Sequence, residues 1–249
     1  MSLLNKELIV VDDLIVKIPT CEEIRGASWD FGKDTDEIDY FSIVRIFTTN
    51  PSSMMVELDD IKIDYETLKD FELFLLLFRS LDKNTLAKKS SMFFVNTDLS
   101  NFDIYVNKET QEVFLLNTKD NIRIDENKYN KLSEIFCEML GIKKEVIKMA
   151  NHGTKKYIIE RDRKKLNKQK KQNQKYKSFI DSCLLALVNN CNFKYNFKDA
   201  LKLTIYDLRA SLKQILKLKQ VDNLSLGIYT GNISSKDINV NDLDFINLE

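Results

Sequence analysis

Apolar and polar positions along the chain change period several times, and each change marks a new element. ELIVVDDLIVKIPT (7–20) alternates with period two around Asp12-Asp13 and predicts a hairpin of two short strands, ended by Pro19. Cys21–Arg25 fits one helical turn, and WDFGKDTDE (29–37) reads as a loop. From Ile38 the period turns helical, with Ile38, Phe41, Val44, Ile46 and Phe47 on one face. TTNPSSMMVELDD (48–60) stops and restarts the pattern: Asn50 can cap a helix and Pro51 suits its first position. DYETLKDFELFLLLFRSL (64–81) is apolar nearly all round, which predicts a buried helix at the centre of a core. FFVN (93–96), FDIYVN (102–107), EVFLLN (112–117) and NIRID (121–125) are short and rich in aromatic and β-branched residues, as in a small antiparallel sheet. Asp125 then opens a helix with Tyr129, Leu132, Ile135, Phe136 and Met139 inward, closed by Gly141.

A break follows at 141–154, where Asn151-His152-Gly153 interrupts the pattern and Thr154 can cap what comes next. From Lys155 to about Val188 no Gly or Pro intervenes, so the spacing predicts one helix of roughly 50 Å at about 1.5 Å per residue. Its start, Tyr157-Ile158-Ile159, is apolar. Its middle is charged on every face except at Leu166, and Tyr176, Phe179, Ile180, Cys183, Leu184, Leu187 and Val188 give its end a packing face. The remainder predicts short helices: 192–203, then Ile205, Leu208, Leu212, Ile215 and Leu216 behind a Thr204/Asp207 cap, then 221–231 ended by Gly227 or Gly231, then the acidic tail. The expected fold is α+β: a domain over 1–150 with buried helices and a small antiparallel sheet, a long basic connecting helix over 154–190, and a small helical domain over 191–249.

Charge sharpens this division. The 249 residues sum to zero, but residues 1–142 carry 27 acids and 16 bases, and 143–177 carry 3 acids and 14 bases. An acidic body and a basic strut inform about partners rather than fold. The four cysteines lack CxxC spacing, which predicts free thiols and a reducing compartment. The start, MSLLNKELIVVDD, lacks the features of a signal peptide, and the longest apolar run, Leu73–Phe78, is too short to span a bilayer, so no membrane partner is expected.

Catalytic chemistry finds little purchase. The single histidine, His152, has no second histidine and no Cys-His spacing beside it. Asp12-Asp13, Glu22-Glu23 and Asp59-Asp60 read as surface or turn pairs, and GIYTGNISSK (227–236) lacks the Gly-Lys-Ser/Thr of a phosphate loop. The expectation is a non-enzymatic protein with no cofactor and no metal site. One feature has a functional reading: KKYIIERDRKKLNKQKKQNQKYK (155–177) holds eleven Lys/Arg against two acids. Its candidate partner-binding residues are Lys155, Lys156, Arg161, Arg163, Lys164, Lys165, Lys168, Lys170 and Lys171. Three readings stay open: a solvated helix, contact with an acidic protein surface, and phosphate contact with nucleic acid. Only two arginines can make forked contacts and no aromatics interleave for base stacking, which weighs against the last.

The order of VKIPTCEEI, YFSIVRIFTTNPSSMMVELDDIKIDYETLKDFELFLLLFRSL, NFDIYVNKETQEVFLLN, KKYIIERDRKK and FKYNFKDALKLTIYDLRASLKQI…VDNLSLGIYTGNI resembles a group of proteins encoded in the tail-morphogenesis region of tailed bacteriophages and prophages of Gram-positive bacteria. The resemblance runs roughly from Ile15 to Ile233. It implies a tail assembly chaperone or virion structural protein, acting in the host cytoplasm during assembly or within the virion. Its implied partners are tail proteins, the tape measure or the tail tube. No catalytic or cofactor residues come with it.

Overall fold

The structure is a computed structural model that describes residues 3–26, 35–171, 176–191, 193–234, 236 and 238–246. It is an α+β fold in which helices predominate. Strands β1 (Leu8–Val11) and β2 (Leu14–Lys17) form the expected hairpin, turning at Asp12 with φ 54°. Helix α1 (Cys21–Arg25) follows, opened by a capping box between Thr20 and Glu23. Helix α2 (Thr35–Thr48) begins inside the segment expected as a loop; the rest of that segment, 29–34, lies outside the described residues. The buried face of α2 carries Tyr40, Ile43, Val44 and Phe47, whereas Ile38 is exposed.

Asn50 caps a short 3-10 turn over Pro51–Met54, which leads into α3 (Met55–Asp60). The apolar helix α4 spans Asp70–Ser80, shorter than its sequence pattern, because 64–69 forms turns that place Tyr65 in a separate cluster. Helix α5 (Lys83–Lys89) precedes Phe93-Phe94-Val95. That segment does not join the sheet as expected. Lys17 N–H donates to Phe93 and Val95 N–H donates to Ile15, so it flanks β2 as an isolated bridge. Strands β3 (Phe102–Val106), β4 (Val113–Asn117) and β5 (Ile122–Ile124) make the antiparallel sheet, in the order β3-β4-β5. Helix α6 (Glu126–Leu140) ends at Gly141 in the left-handed conformation, φ 57°.

The single helix expected over 155–188 is two. Helix α7 (His152–Lys171) is capped by Asn151, whose side-chain oxygen accepts the Thr154 N–H at 2.8 Å. Residues 176–178 are not helical, and Ser178 caps a new helix, α8 (Phe179–Val188). After α9 (Phe197–Leu201), α10 runs from Ile205 to Tyr229 without interruption, so Gly227 lies inside a helix that sequence reading ended there or at Gly231.

One hydrophobic cluster joins the two ends of the chain. Leu14, Val16, Ile24, Tyr40, Phe47, Phe74, Leu115 and Phe136 share it with Ile180, Leu184, Leu187, Ile205 and Leu208. Backbone bonds cross the same seam: Cys21 N–H donates to Leu203 at 2.8 Å and Ile205 N–H donates to Pro19 at 3.0 Å. The segments read as a first domain (1–150) and a last domain (191–249) therefore share one core, with α1 packed on α8 and α9, and α6 on α10. A fully buried leucine or phenylalanine there contributes about 2–3 kcal/mol.

Candidate functional site

The basic helix α7 is the one feature that sequence singled out, and its geometry follows from the chain that leads to it. Residues 141–151, expected as a boundary, form a pinned strap. Asn50 Nδ2 donates to the Glu145 carbonyl at 2.8 Å, Ile147 N–H to Ser52 Oγ at 3.0 Å, and Met149 N–H to Glu66 Oε1 at 3.0 Å. Lys144 adds bonds to Asp70 at 3.0 Å and to the Tyr129 hydroxyl at 3.2 Å. The strap delivers α7 alongside α3.

Along α7, Lys155, Ile158, Ile159, Asp162, Arg163 and Leu166 recur at i, i+3, i+4, i+7, i+8 and i+11, which is one face of a helix. These are the positions between 155 and 170 that are buried or half-buried; every other one is exposed. Ile159 is buried in a second hydrophobic cluster with Met54, Met55, Val56, Leu58, Tyr65 and Leu73, flanked by Ile158 and Leu166. The apolar start of the strut is packed as expected, and the docking face runs on through Asp162, Arg163 and Leu166 into the middle that was expected as an exposed shaft.

Two of its cations are fixed by acids of 59–66. Lys155 donates to Asp64 and, at 2.8 Å, to Glu66, and its ammonium lies 4.7 Å from the centroid of the Tyr65 ring. Partial burial alone would lower the Lys155 pKa, but the two carboxylates outweigh it and hold it above the ordinary lysine value. Reciprocally, the Lys155 bond holds Asp64 and Glu66 below the carboxylate range, with the Met149 N–H also bonding Glu66. Arg163 bridges Asp59 at 2.6 Å and Asp60 at 2.7 Å. Arg161 and Lys165 both turn to Asp162 on their own helix, at 2.9 and 3.4 Å.

The nine nominated residues therefore separate. Lys155 and Arg163 belong to the docking face. Arg161 and Lys165 are exposed but engaged by Asp162. Lys156, Lys164, Lys168 and Lys170 are exposed and make no ion pair among the described residues. Lys171 ends the helix. Tyr157, Arg161, Lys164 and Lys168 stand at i, i+4, i+7 and i+11 and form an outward stripe. Sequence reading missed Asp59, Asp60, Asp64 and Glu66 as partners. The opposite charge of 1–142 and 143–177 was the available signal, but it did not say which acids would be met.

His152, the first residue of α7, lines a shallow cleft of about 270 Å³ with Asp59, Lys155, Lys156 and Arg163. Among the described residues, no group of three or more His, Cys, Asp or Glu is placed to hold a metal ion, and no helix is long and apolar enough to cross a membrane. No protein-family model, curated protein or solved structure matches the chain.

Proposed function

We propose that the protein works by binding other proteins, as a non-enzymatic morphogenesis factor of a bacteriophage tail: an assembly chaperone or a virion component that engages the tape-measure or tail-tube protein. The observation that supports this reading is the division of α7 into a neutralised inner face and a charged outer one. The acids of α3 and the following turn pair with the inner face of the helix, so the Tyr157–Arg161–Lys164–Lys168 stripe is presented on backbone already folded as helix, which lowers the entropic cost of binding.

An acidic protein surface suits this stripe better than nucleic acid does. Both arginines of the helix are already engaged by carboxylates, which leaves lysines without forked contacts for phosphate. The alternative, a nucleic-acid-binding module using 155–177, predicts DNA or RNA affinity that falls steeply with salt.

Co-expression with a tape-measure or tail-tube protein tests the proposal. Co-purification with one of them at fixed stoichiometry is expected; recovery of the chain alone, with salt-sensitive retention on DNA, favours the alternative. Mass spectrometry of purified virions then separates a structural component, present in the particle, from an assembly factor of the host cytoplasm, absent from it.

A further inference from the structure

Strand β3 lies at the edge of its sheet and pairs with β4 alone. The Asn107 N–H donates to the Glu112 carbonyl at 2.9 Å, which marks 107 and 112 as a hydrogen-bonded pair of the hairpin. Such pairs alternate along an antiparallel ladder. Asp103 and Tyr105 therefore turn their backbone groups toward β4. Ile104 and Val106 turn theirs outward, where no described residue receives them. The side chains are open as well: Ile104 is 38% exposed, Tyr105 39% and Val106 53%.

Natural edge strands are usually blunted by proline, lysine, an unpaired charge or a bulge. Phe-Asp-Ile-Tyr-Val has no proline or lysine, and its register with β4 runs from Phe102 to Val106 without a bulge. Its one charge, Asp103, is tied to Lys83 at 2.7 Å. A cleft of about 490 Å³ lies beside the edge, lined by Phe78, Leu81, Leu86, Phe102 and Ile104 together with the charged Arg79, Lys83 and Asp103.

We infer that β3 pairs with β3 of a second copy of this chain, antiparallel about a two-fold axis at Tyr105. The register is dictated by the free groups. The Phe102 N–H already donates to the Leu99 carbonyl, so pairing must use Ile104 and Val106. Setting Ile104 opposite Val106 of the second copy lets the two exchange both backbone bonds, and the two-fold axis repeats the exchange. Tyr105 then meets Tyr105 of the second copy at a non-hydrogen-bonded position, where Cα atoms approach to about 4.5 Å. Asp103 meets Asn107, so no like charges oppose one another. On the outer face a ladder is already present. The Arg123 guanidinium lies 4.1 Å over the Phe114 ring, and Phe114 stacks on Tyr105 with centroids 6.3 Å apart. Pairing extends it across the axis and joins two three-stranded sheets into one.

Sedimentation equilibrium of the full chain tests this, in a Cys191→Ser background. The chain is expected to be a dimer at tens of micromolar. Val106→Pro removes an outward N–H that the monomer does not use, so it should give a monomer with unchanged circular dichroism. Tyr105→Cys should cross-link to its copy under mild oxidant, since non-hydrogen-bonded pairs match disulfide geometry, and Asp103→Cys should not. The inference is overturned by a wild-type chain that stays monomeric, by a folded Val106→Pro dimer, or by equal cross-linking of the two cysteine variants. Were Val106→Pro to lose its fold, the cross-linking contrast decides alone.

Discussion

The Glu37 carboxylate accepts the backbone N–H of Phe179 at 2.6 Å, although 142 residues separate them. It also accepts the Ile180 N–H at 3.3 Å and the Ser178 hydroxyl at 2.6 Å. A fully buried side chain of α2 thus supplies the anion that the N-terminus of α8 favours. Glu37→Ala should cost about 2–3 kcal/mol in urea unfolding, because one buried and two partly buried donors lose their acceptor. Glu37→Gln should cost less, since one acceptor remains. An alanine variant as stable as the parent would mean that α8 needs no such cap.

Gly141 ends α6 at φ 57°, and a Cβ there would lie 1.8 Å from the Arg209 guanidinium. Arg209 in turn donates to the Met139 carbonyl at 2.9 Å, so α10 closes the end of α6. Gly141→Ala should destabilise by about 1–2 kcal/mol from backbone strain, with a further loss if Arg209 is displaced. Arg209→Ala in the Gly141→Ala background separates the two contributions by a double-mutant cycle.

These two contacts show what a sequence conveys and what it withholds. Local signals are legible: the Asp12-Asp13 turn, the Asn50 and Thr204 caps, and the Tyr129–Met139 face closed by Gly141 each depend on neighbours a few residues away. Glu37 looks like any first-turn acid, because its partners come from the far end of the chain. Phe93–Val95, expected in the sheet for its aromatic and β-branched content, makes only an isolated bridge to β2, a pairing set by tertiary packing that composition does not show. Along α7 the apolar start at Ile158-Ile159 was legible as a packed end, but a lone Leu166 among lysines was too thin a signal to show that the docked face reaches the middle of the helix.

The clamp on α7 should make stability depend on pH in a definite sense. Asp64 and Glu66 have depressed folded pKa values, so their contribution is present above the unfolded carboxylate pKa and disappears as pH falls through the folded values. Lys155 is raised, so its contribution is present below the ordinary lysine pKa and disappears as pH rises through the folded value. Calorimetry should show wild-type Tm falling faster than that of Asp64→Asn/Glu66→Gln as pH drops from about 5 to 3. Parallel curves would show that the clamp contributes nothing to stability.

Cysteine reactivity should follow burial. Burial first, then nearby Cys183, pushes the Cys21 thiol up to about 12, and burial also raises Cys137 and Cys183. Cys191 is exposed. Timed alkylation at pH 8 with mass-spectrometric readout should modify Cys191 first, Cys137 and Cys183 more slowly, and Cys21 only on unfolding. Early labelling of Cys21 would contradict the packing of α1 against the C-terminal segments.

The most direct test of the account is a calorimetric binding titration of the tape-measure and tail-tube proteins with the wild-type chain and with Lys164→Glu/Lys168→Glu. Both lysines point away from the docking face, so the fold should be unchanged. The account predicts measurable binding of one tail protein by the wild type and a loss of at least tenfold in the double variant. Equal affinity of the two chains, or no binding by either, would contradict it.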